Sequence, residues 1–170
     1  MKRVVMILAC LCLLCSAAFA EETESTVLNW DDIAEEVKAQ GEFHQMEIPG
    51  ECTVSYWIPS AMESVEVGIM TTHRGADPDH YLVVNLTTMA VTLEESVDIL
   101  EAEGFGSDFR NVTINGVNCI TYEIPDRNLK MLTYPVKDNN YLKISYPSVS
   151  GDEEWADTIN TIFSSIQKAE

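Results

Sequence analysis

Basic residues are scarce in this chain of 170 amino acids, in which Lys and Arg number 10 against 28 Asp and Glu. The formal net charge is −18. Proteins that bind nucleic acid need clustered Lys and Arg to neutralise phosphates, and this composition argues against that class. A field of this sign also repels anionic lipid headgroups and attracts cations. We therefore expect no nucleic-acid partner, and the sequence leaves open whether the partner is a protein or a small molecule.

Long hydrophobic runs are also lacking, apart from one at the start. Residues 4–19 are almost unbroken apolar sequence, but the run is shorter than the roughly 18–20 residues that cross a membrane. It follows the basic pair Lys2-Arg3 and ends in Ala18-Phe19-Ala20, a small-x-small cleavage pattern. This pattern is typical of a secretory signal peptide over residues 1–20, so we predict a secreted or cell-envelope protein without a membrane span.

A lipid anchor is the alternative to cleavage after Ala20. In a bacterial lipoprotein the lipid-carrying Cys follows a small residue, whereas Cys15 follows Leu14. Cys10 does follow a small residue, Ala9, but the apolar stretch before it would be very short. Cleavage of the leader therefore remains the favoured interpretation.

Cysteine becomes rare once the leader is removed, because Cys52 and Cys119 alone remain of the five in the chain. An even count in an exported protein suggests a disulfide, and its loop of about 70 residues would stabilise the fold by roughly 4 kcal/mol. Cys119, however, lies in a predicted strand, where a packed free thiol is also consistent with the sequence. The sequence leaves both states open, with Cys52–Cys119 as the candidate disulfide.

Cap and turn signals divide the remainder into helices and strands. We predict a short flexible lead-in over residues 21–28 and a single domain over residues 29–170. Apolar spacing predicts three helices: one capped by Asn29, one with a capping box at Thr92, and one that begins near Ser150. Alternation and turn residues predict strands at 43–48, 53–58, 66–73, 80–88, 111–114, 117–124, 129–136 and 141–146. Tight turns make consecutive strands antiparallel, so we predict an α+β fold in which helices flank an antiparallel β-sheet.

The order of these elements resembles a known family. A capped helix is followed by Asn111-Val-Thr-Ile-Asn-Gly116, a returning strand to Ile124, a second hairpin, and a last helix with Ser164-Ser165-Ile166. Together with the earlier Tyr56-Trp57-Ile58-Pro59 segment, this is similar to the PsbP/Mog-type α/β/α sandwich across residues 42–168. The resemblance implies an exported accessory or protein-binding module rather than an enzyme, and it assigns no binding residues.

Aromatic side chains are few, at 8% of the chain, and those on predicted strands include Tyr56, Trp57, Tyr134, Tyr141 and Tyr146. Aromatic residues that are exposed together form a partner or ligand surface. Two facing helix layers would instead bury most of them, so we expect core packing.

The densest polar cluster is the segment 73–80, which contains four side chains of metal-ligating type: His73, Asp77, Asp79 and His80. Their spacing matches no established metal motif. We therefore predict a solvated loop, with no metal and no cofactor, and keep the four residues as candidates.

Catalytic signatures are lacking as well. The chain contains no Gly-x-Ser-x-Gly elbow, and Cys52 would need His44 or His80 beside it to act as a nucleophile. We expect the carboxylates of the second and third helices on solvated faces, not as an acid–base pair. The sequence thus predicts a non-catalytic binding or accessory module with no catalytic residue. A small-molecule or metal-ion binding protein is the alternative, followed by a thiol enzyme or a hydrolase.

Overall fold

A computed structural model describes residues 25–168, so the predicted leader over 1–20 and the start of the predicted lead-in lie outside the described residues. Strands hold 50% of the described residues and helices 22%. The strands are β1 Thr26–Leu28, β2 Gly41–Ile48, β3 Cys52–Pro59, β4 Glu63–Val67, β5 Met70–Arg74, β6 Tyr81–Thr88, β7 Ser107–Ile114, β8 Val117–Ile124, β9 Leu129–Lys137, β10 Asn140–Pro147 and β11 Gln167–Lys168. The α-helices are α1 Glu35–Lys38, α2 Leu93–Ala102 and α3 Glu153–Ser164, and single 3-10 turns lie at Trp30–Asp32 and Pro125–Arg127.

Two sheets face each other. The larger has the order β1-β7-β8-β9-β10-β6-β5-β4 and is antiparallel except for the parallel pair β1 and β7. The smaller, β11-β3-β2, is antiparallel. Strand β3 lies against β9, β2 lies against β6, and α3 contacts β3 and β1. The small sheet and α3 therefore cover one face of the large sheet, called the inner face here, which carries Val84, Leu132 and Ile144 side by side.

The expected α/β/α sandwich is wrong. The fold is mostly β, and the layer on the inner face is a three-stranded sheet with α3 beside it, not a layer of helices. The strand pair β2 and β3 is predicted correctly, because the Pro49-Gly50 turn is a local signal. A turn shows that two strands pair, but it does not show which sheet the pair joins. That choice depends on the distant side chains that the hairpin buries.

The N-terminal segment also differs from the prediction. Thr26–Leu28, expected within the lead-in, forms β1, and the expected three-turn helix is a 3-10 turn followed by the four residues of α1. Asn29 makes no side-chain cap. The pairing of β1 with β7 and the bond from the Trp30 backbone N–H to the Asn115 side chain hold this segment, so tertiary contacts override its helical periodicity.

The other two helices begin at side-chain caps. The predicted capping box of α2 is confirmed: Thr92 accepts from the Glu95 backbone N–H, and the Glu95 carboxylate accepts from the Thr92 backbone N–H. Helix α3 is capped by Asp152 and not, as the sequence suggests, near Ser150. The Asp152 carboxylate accepts from the Trp155 backbone N–H at 2.9 Å.

The aromatic residues predicted in the core lie there. Tyr56, Trp57, Tyr134 and Tyr141 are buried, and Tyr146 is half-buried. Most of the core lies between the inner face, the small sheet and α3, whose Ile162 is completely enclosed.

One turn residue joins three parts of the fold. Asn115, in the tight turn between β7 and β8, has a φ of +47°, and Gly116 follows at +78°, as the predicted type I′ turn requires. The Asn115 side chain accepts from the Trp30 backbone N–H at 2.9 Å. It donates to the carbonyls of Ser164 and Ile166 at 2.7 and 3.0 Å. This one amide therefore ties the N-terminal segment, the hairpin and the end of α3 together.

Replacing Asn115 with Gly tests this role, because Gly accepts the positive φ while all three side-chain bonds are lost. We expect a loss of about 1–3 kcal/mol in the free energy of unfolding, measured by urea titration. Asn128→Gly is the matched control: its φ is +51°, and its side chain makes one long bond of 3.4 Å. Equal losses for the two variants would contradict the assignment.

The enclosure of Ile162 gives a second prediction. Ile162→Ala leaves a cavity between α3 and the large sheet and should cost about 2–5 kcal/mol in urea unfolding. The same substitution at Ile99, which is 51% exposed on α2, should change stability by less than about 0.5 kcal/mol. A similar effect at both positions would show that α3 is not packed as described.

Candidate functional site

The two histidines of the predicted polar cluster have different surroundings. His73 lies in β5 and is fully buried, with Nε2 at 3.1 Å from the Tyr56 hydroxyl and Nδ1 at 2.8 Å from the Ser64 hydroxyl. His80 lies in the loop before β6, and its Nε2 is 2.8 Å from a carboxylate oxygen of Asp152. Strand alternation turns His73 towards the core, whereas the loop holds His80 beside the start of α3.

The two candidate carboxylates stay in the loop. Asp77 accepts from the Asp79 backbone N–H at 2.9 Å, which closes a local turn, and both residues are exposed. Across residues 25–168, no group of three or more His, Cys, Asp or Glu side chains is arranged to hold a metal ion. The fold therefore does not bring the four candidate residues together.

His73 is held neutral. Burial, and after it the neighbouring His44 imidazole, lowers the pKa of His73 from 6.5 to about 4. The His44 and His73 ring centroids are 4.9 Å apart. Because both ring nitrogens are already bonded to hydroxyls, His73 has the properties of a structural residue.

The two cysteines that follow the leader are free thiols in the structure, Cys52 at the start of β3 and Cys119 buried in β8. Burial raises the pKa of the Cys119 thiol to about 12 and also raises the pKa of Cys52, so neither is an activated thiolate. In the β2–β3 pair, Cys52 lies opposite Ile48, which is four residues from His44 on β2. The Cys52 thiol and the His44 imidazole are therefore separated by about 13 Å along the strands. The disulfide stays a prediction.

A cavity of about 700 Å³ lies where α1, the end of β3, the loop before β6 and the start of α3 meet. We call it the Trp155 cavity. Its apolar lining is made by Val37, Trp57, Pro59, Ala61, Met62 and Trp155. Three carboxylates also line it: Glu153, Glu154 and Asp157.

One wall of the Trp155 cavity is a stacked pair of rings. The His80 and Trp155 rings are nearly parallel, at 4° and 4.7 Å between centroids. Asp152 fixes both, since it accepts from the Trp155 backbone N–H and bonds the His80 ring. These two hydrogen bonds lower the pKa of the Asp152 carboxyl, and the bond from the Trp155 backbone N–H has the larger effect. The imidazole is therefore oriented from behind by an ionised carboxylate.

A second wall of the cavity is set by Trp57. Its Nε1–H donates to the Lys38 carbonyl at 3.0 Å, and its ring packs beside Trp30. Gly41 permits this position, because a Cβ there would overlap the Trp57 ring and the Ile58 carbonyl. The wall is therefore rigid and set by packing.

Trp155 leaves one polar group unsatisfied. Its side chain is 5% exposed, and its Nε1–H has no hydrogen-bond partner among the described residues. Buried donors are normally paired, so such a group marks a place where a partner is missing.

Sequence reasoning did not find the Trp155 cavity. The sequence predicts Trp57 in the core, His80 in a loop and the carboxylates of α3 on a solvated face. The cavity combines these segments from distant parts of the chain. The one local feature of the sequence that points to the cavity is a Trp in the acidic first turn of a helix.

Comparison with known proteins identifies no relative, since neither a family model nor a curated protein matches the sequence. The likeness to the PsbP/Mog-type family therefore remains a prediction from element order. Among the described residues, no helix is long and apolar enough to cross a membrane.

The buried state of His73 predicts a pH dependence of stability. An unfolded His titrates near pH 6.5, so as the pH falls from about 6.5 towards 4 the unfolded state binds a proton before the folded state does. The stability from a neutral His73 is complete above pH 6.5 and is lost progressively below it. Urea unfolding should show about 2 kcal/mol lost between about pH 7.5 and pH 5.

The variant His73→Gln removes this titration. Its free energy of unfolding should be lower at neutral pH but should change much less between the same two pH values. A variant that keeps the full pH dependence would assign the effect to another group.

Proposed function

We propose that this protein is an exported, non-catalytic binding module whose ligand enters the Trp155 cavity. Export rests on the leader pattern of residues 1–20. The observation that carries the binding proposal is the cavity itself, with tryptophans on both walls and a buried, unsatisfied indole N–H.

The lining points to the chemistry of the ligand. Trp57, Met62 and Trp155 offer an apolar surface, and aromatic faces also attract cations. Glu153, Glu154 and Asp157 add negative charge, while no Lys or Arg lines the cavity. A positively charged group attached to an apolar body therefore fits this site, and a nucleic acid or another polyanion does not.

The arrangement of hydroxyls and imidazole supports a non-catalytic role. His80 with Asp152 behind it has the geometry of a base and its orienting group, but a nucleophile is needed beside them. The hydroxyls in the lining belong to Thr158 and Thr161, and each donates to a backbone carbonyl of the preceding helical turn at 2.9 Å. Binding accounts for this site better than acyl transfer does.

Three probes of one shape and different charge test the proposal: phenethylammonium, phenethyl alcohol and phenylpropanoate. We expect the cation to bind about five-fold more tightly than the alcohol, which corresponds to about 1 kcal/mol, and the anion to bind most weakly. The readout is the indole N–H resonance of Trp155 at low salt, assigned through Trp155→Phe.

Variants of two carboxylates that line the cavity provide the control. The double variant Glu154→Gln with Asp157→Asn should reduce the preference for the cation to about two-fold, because exposed charges contribute a few tenths of a kcal/mol each. The same two changes at the exposed Glu94 and Asp98 of α2 remove equal charge elsewhere and should preserve the preference. Absence of any Trp155 response, or tightest binding of the anion, would reject the proposal.

A further inference from the structure

The small sheet ends before the large sheet does. Strand β2 lies against β6 and reaches β5, where the His44 and His73 ring centroids are 4.9 Å apart, and the large sheet continues from β5 to β4. Helix α3 is at the other side, against β3 and β1. The outer edge of β2 is therefore the edge of the inner layer, beside the β4–β5 hairpin.

This step forms a groove of about 330 Å³ between β2 and the β4–β5 hairpin. We call it the β2 groove. Its apolar side chains include Met46, Ile48, Ile69 and Leu86, and its charged side chains are Glu47 and Glu66. It shares no lining residue with the Trp155 cavity.

The edge of β2 is open to a further strand. Its eight residues pair with β3 in one continuous register, and no other described strand pairs with β2. Natural edge strands are commonly blocked by a bulge, a proline, a very short length or charged side chains. Of these devices β2 has the charges alone, on Glu42 and Glu47, and carboxylates do not repel a basic strand. Its backbone can therefore accept an added strand.

The groove beside this edge has exposed apolar surface. Ile69 is 67% exposed at the tip of the β4–β5 hairpin, although it is a large hydrophobic residue. Ile69 lines the groove, so its exposed apolar surface is available to an added strand. Val65, Val67 and Met70 are also exposed, but they lie on the opposite face of the hairpin from Thr71 and His73.

The charge of the β2 groove indicates which kind of partner would bind there. Glu47 and Glu66 line the groove, Glu42 and Glu63 lie on its two border strands, and no Lys or Arg lines it. A second copy of this chain carries the same net charge of −18 and is repelled. A basic segment is attracted.

We infer that β2 is the docking edge for an extended segment of a partner protein in which apolar and basic residues alternate. The side chains of an added strand point alternately to its two faces. One set would pack on Met46, Ile69 and Leu86, in the groove between β2 and the β4–β5 hairpin. The other set would lie on the outer side of the small sheet near Glu47. This site is separate from the Trp155 cavity and does not depend on the function proposed there.

The test uses the blocked peptide Lys-Val-Lys-Val-Lys-Val-Lys, its Glu-Val counterpart, and a version of the first peptide with a central Pro. We expect the Lys-Val peptide to bind at least ten-fold more tightly than either of the others, by fluorescence anisotropy. Because an acidic protein attracts any basic peptide, the Pro version is the control for strand formation. Hydrogen exchange of the β2 amides should slow on binding.

Charge-reversal variants locate the site. The double variant Glu47→Lys with Glu66→Lys should weaken binding of the Lys-Val peptide at least five-fold. Glu94→Lys in α2 with Glu103→Lys at its C-terminal cap changes the net charge equally and should have a much smaller effect on binding. The inference is overturned if the Pro peptide binds as tightly as its parent, if protection appears away from β2, or if the two double variants behave alike.

Discussion

The side chain of Asn115 is the interaction on which the rest of the arrangement depends. Its amide holds the last turn of α3 and the strand that follows, while its carbonyl oxygen holds the start of the chain. Helix α3 is about 18 Å long, and the buried side chains along it, which include Ile159 and Ile162, set its direction once Asn115 holds its C-terminal end. Its N-terminal end carries Asp152 and Trp155, and with them one wall of the Trp155 cavity. A turn residue at one end of the helix thus determines a site at the other.

The elements predicted well are those with a local signal. Asn115-Gly116 predicts the turn between β7 and β8, Thr92 predicts the start of α2, and alternation predicts β7 to β10. The elements predicted badly depend on distant partners. Nothing within residues 29–40 indicates that Asn115 will hold the Trp30 backbone, and nothing in the Pro49-Gly50 hairpin shows that it forms a second sheet. The sequence therefore predicts these turns and the capping box of α2 correctly, whereas it predicts the layers and the Asn29 cap wrongly.

The candidate site has the same limitation. Trp57, His80 and Trp155 come from a strand, a loop and a helix, and each has an ordinary explanation when it is considered alone. His73 shows the opposite case, since its neighbours suggest a ligand, yet strand alternation buries it between two hydroxyls. A functional interpretation of such residues requires the faces of the sheet to be known first. The open edge of β2 is even less visible in the sequence, because it consists of backbone groups that lack a neighbour.

The scarcity of basic residues is reflected in the charge of the two candidate sites. Several of the few cations are already paired on the surface, as in Lys38–Glu35, Arg110–Asp108 and Lys130–Glu123. At physiological ionic strength, charges beyond about 8 Å are largely screened, so the carboxylates that line a site decide its sign. The Trp155 cavity and the β2 groove both have carboxylates and apolar surface and lack lining cations. Overall acidity alone would favour solubility, whereas this local combination of carboxylates and apolar surface is the reason that we propose basic, apolar ligands for both sites.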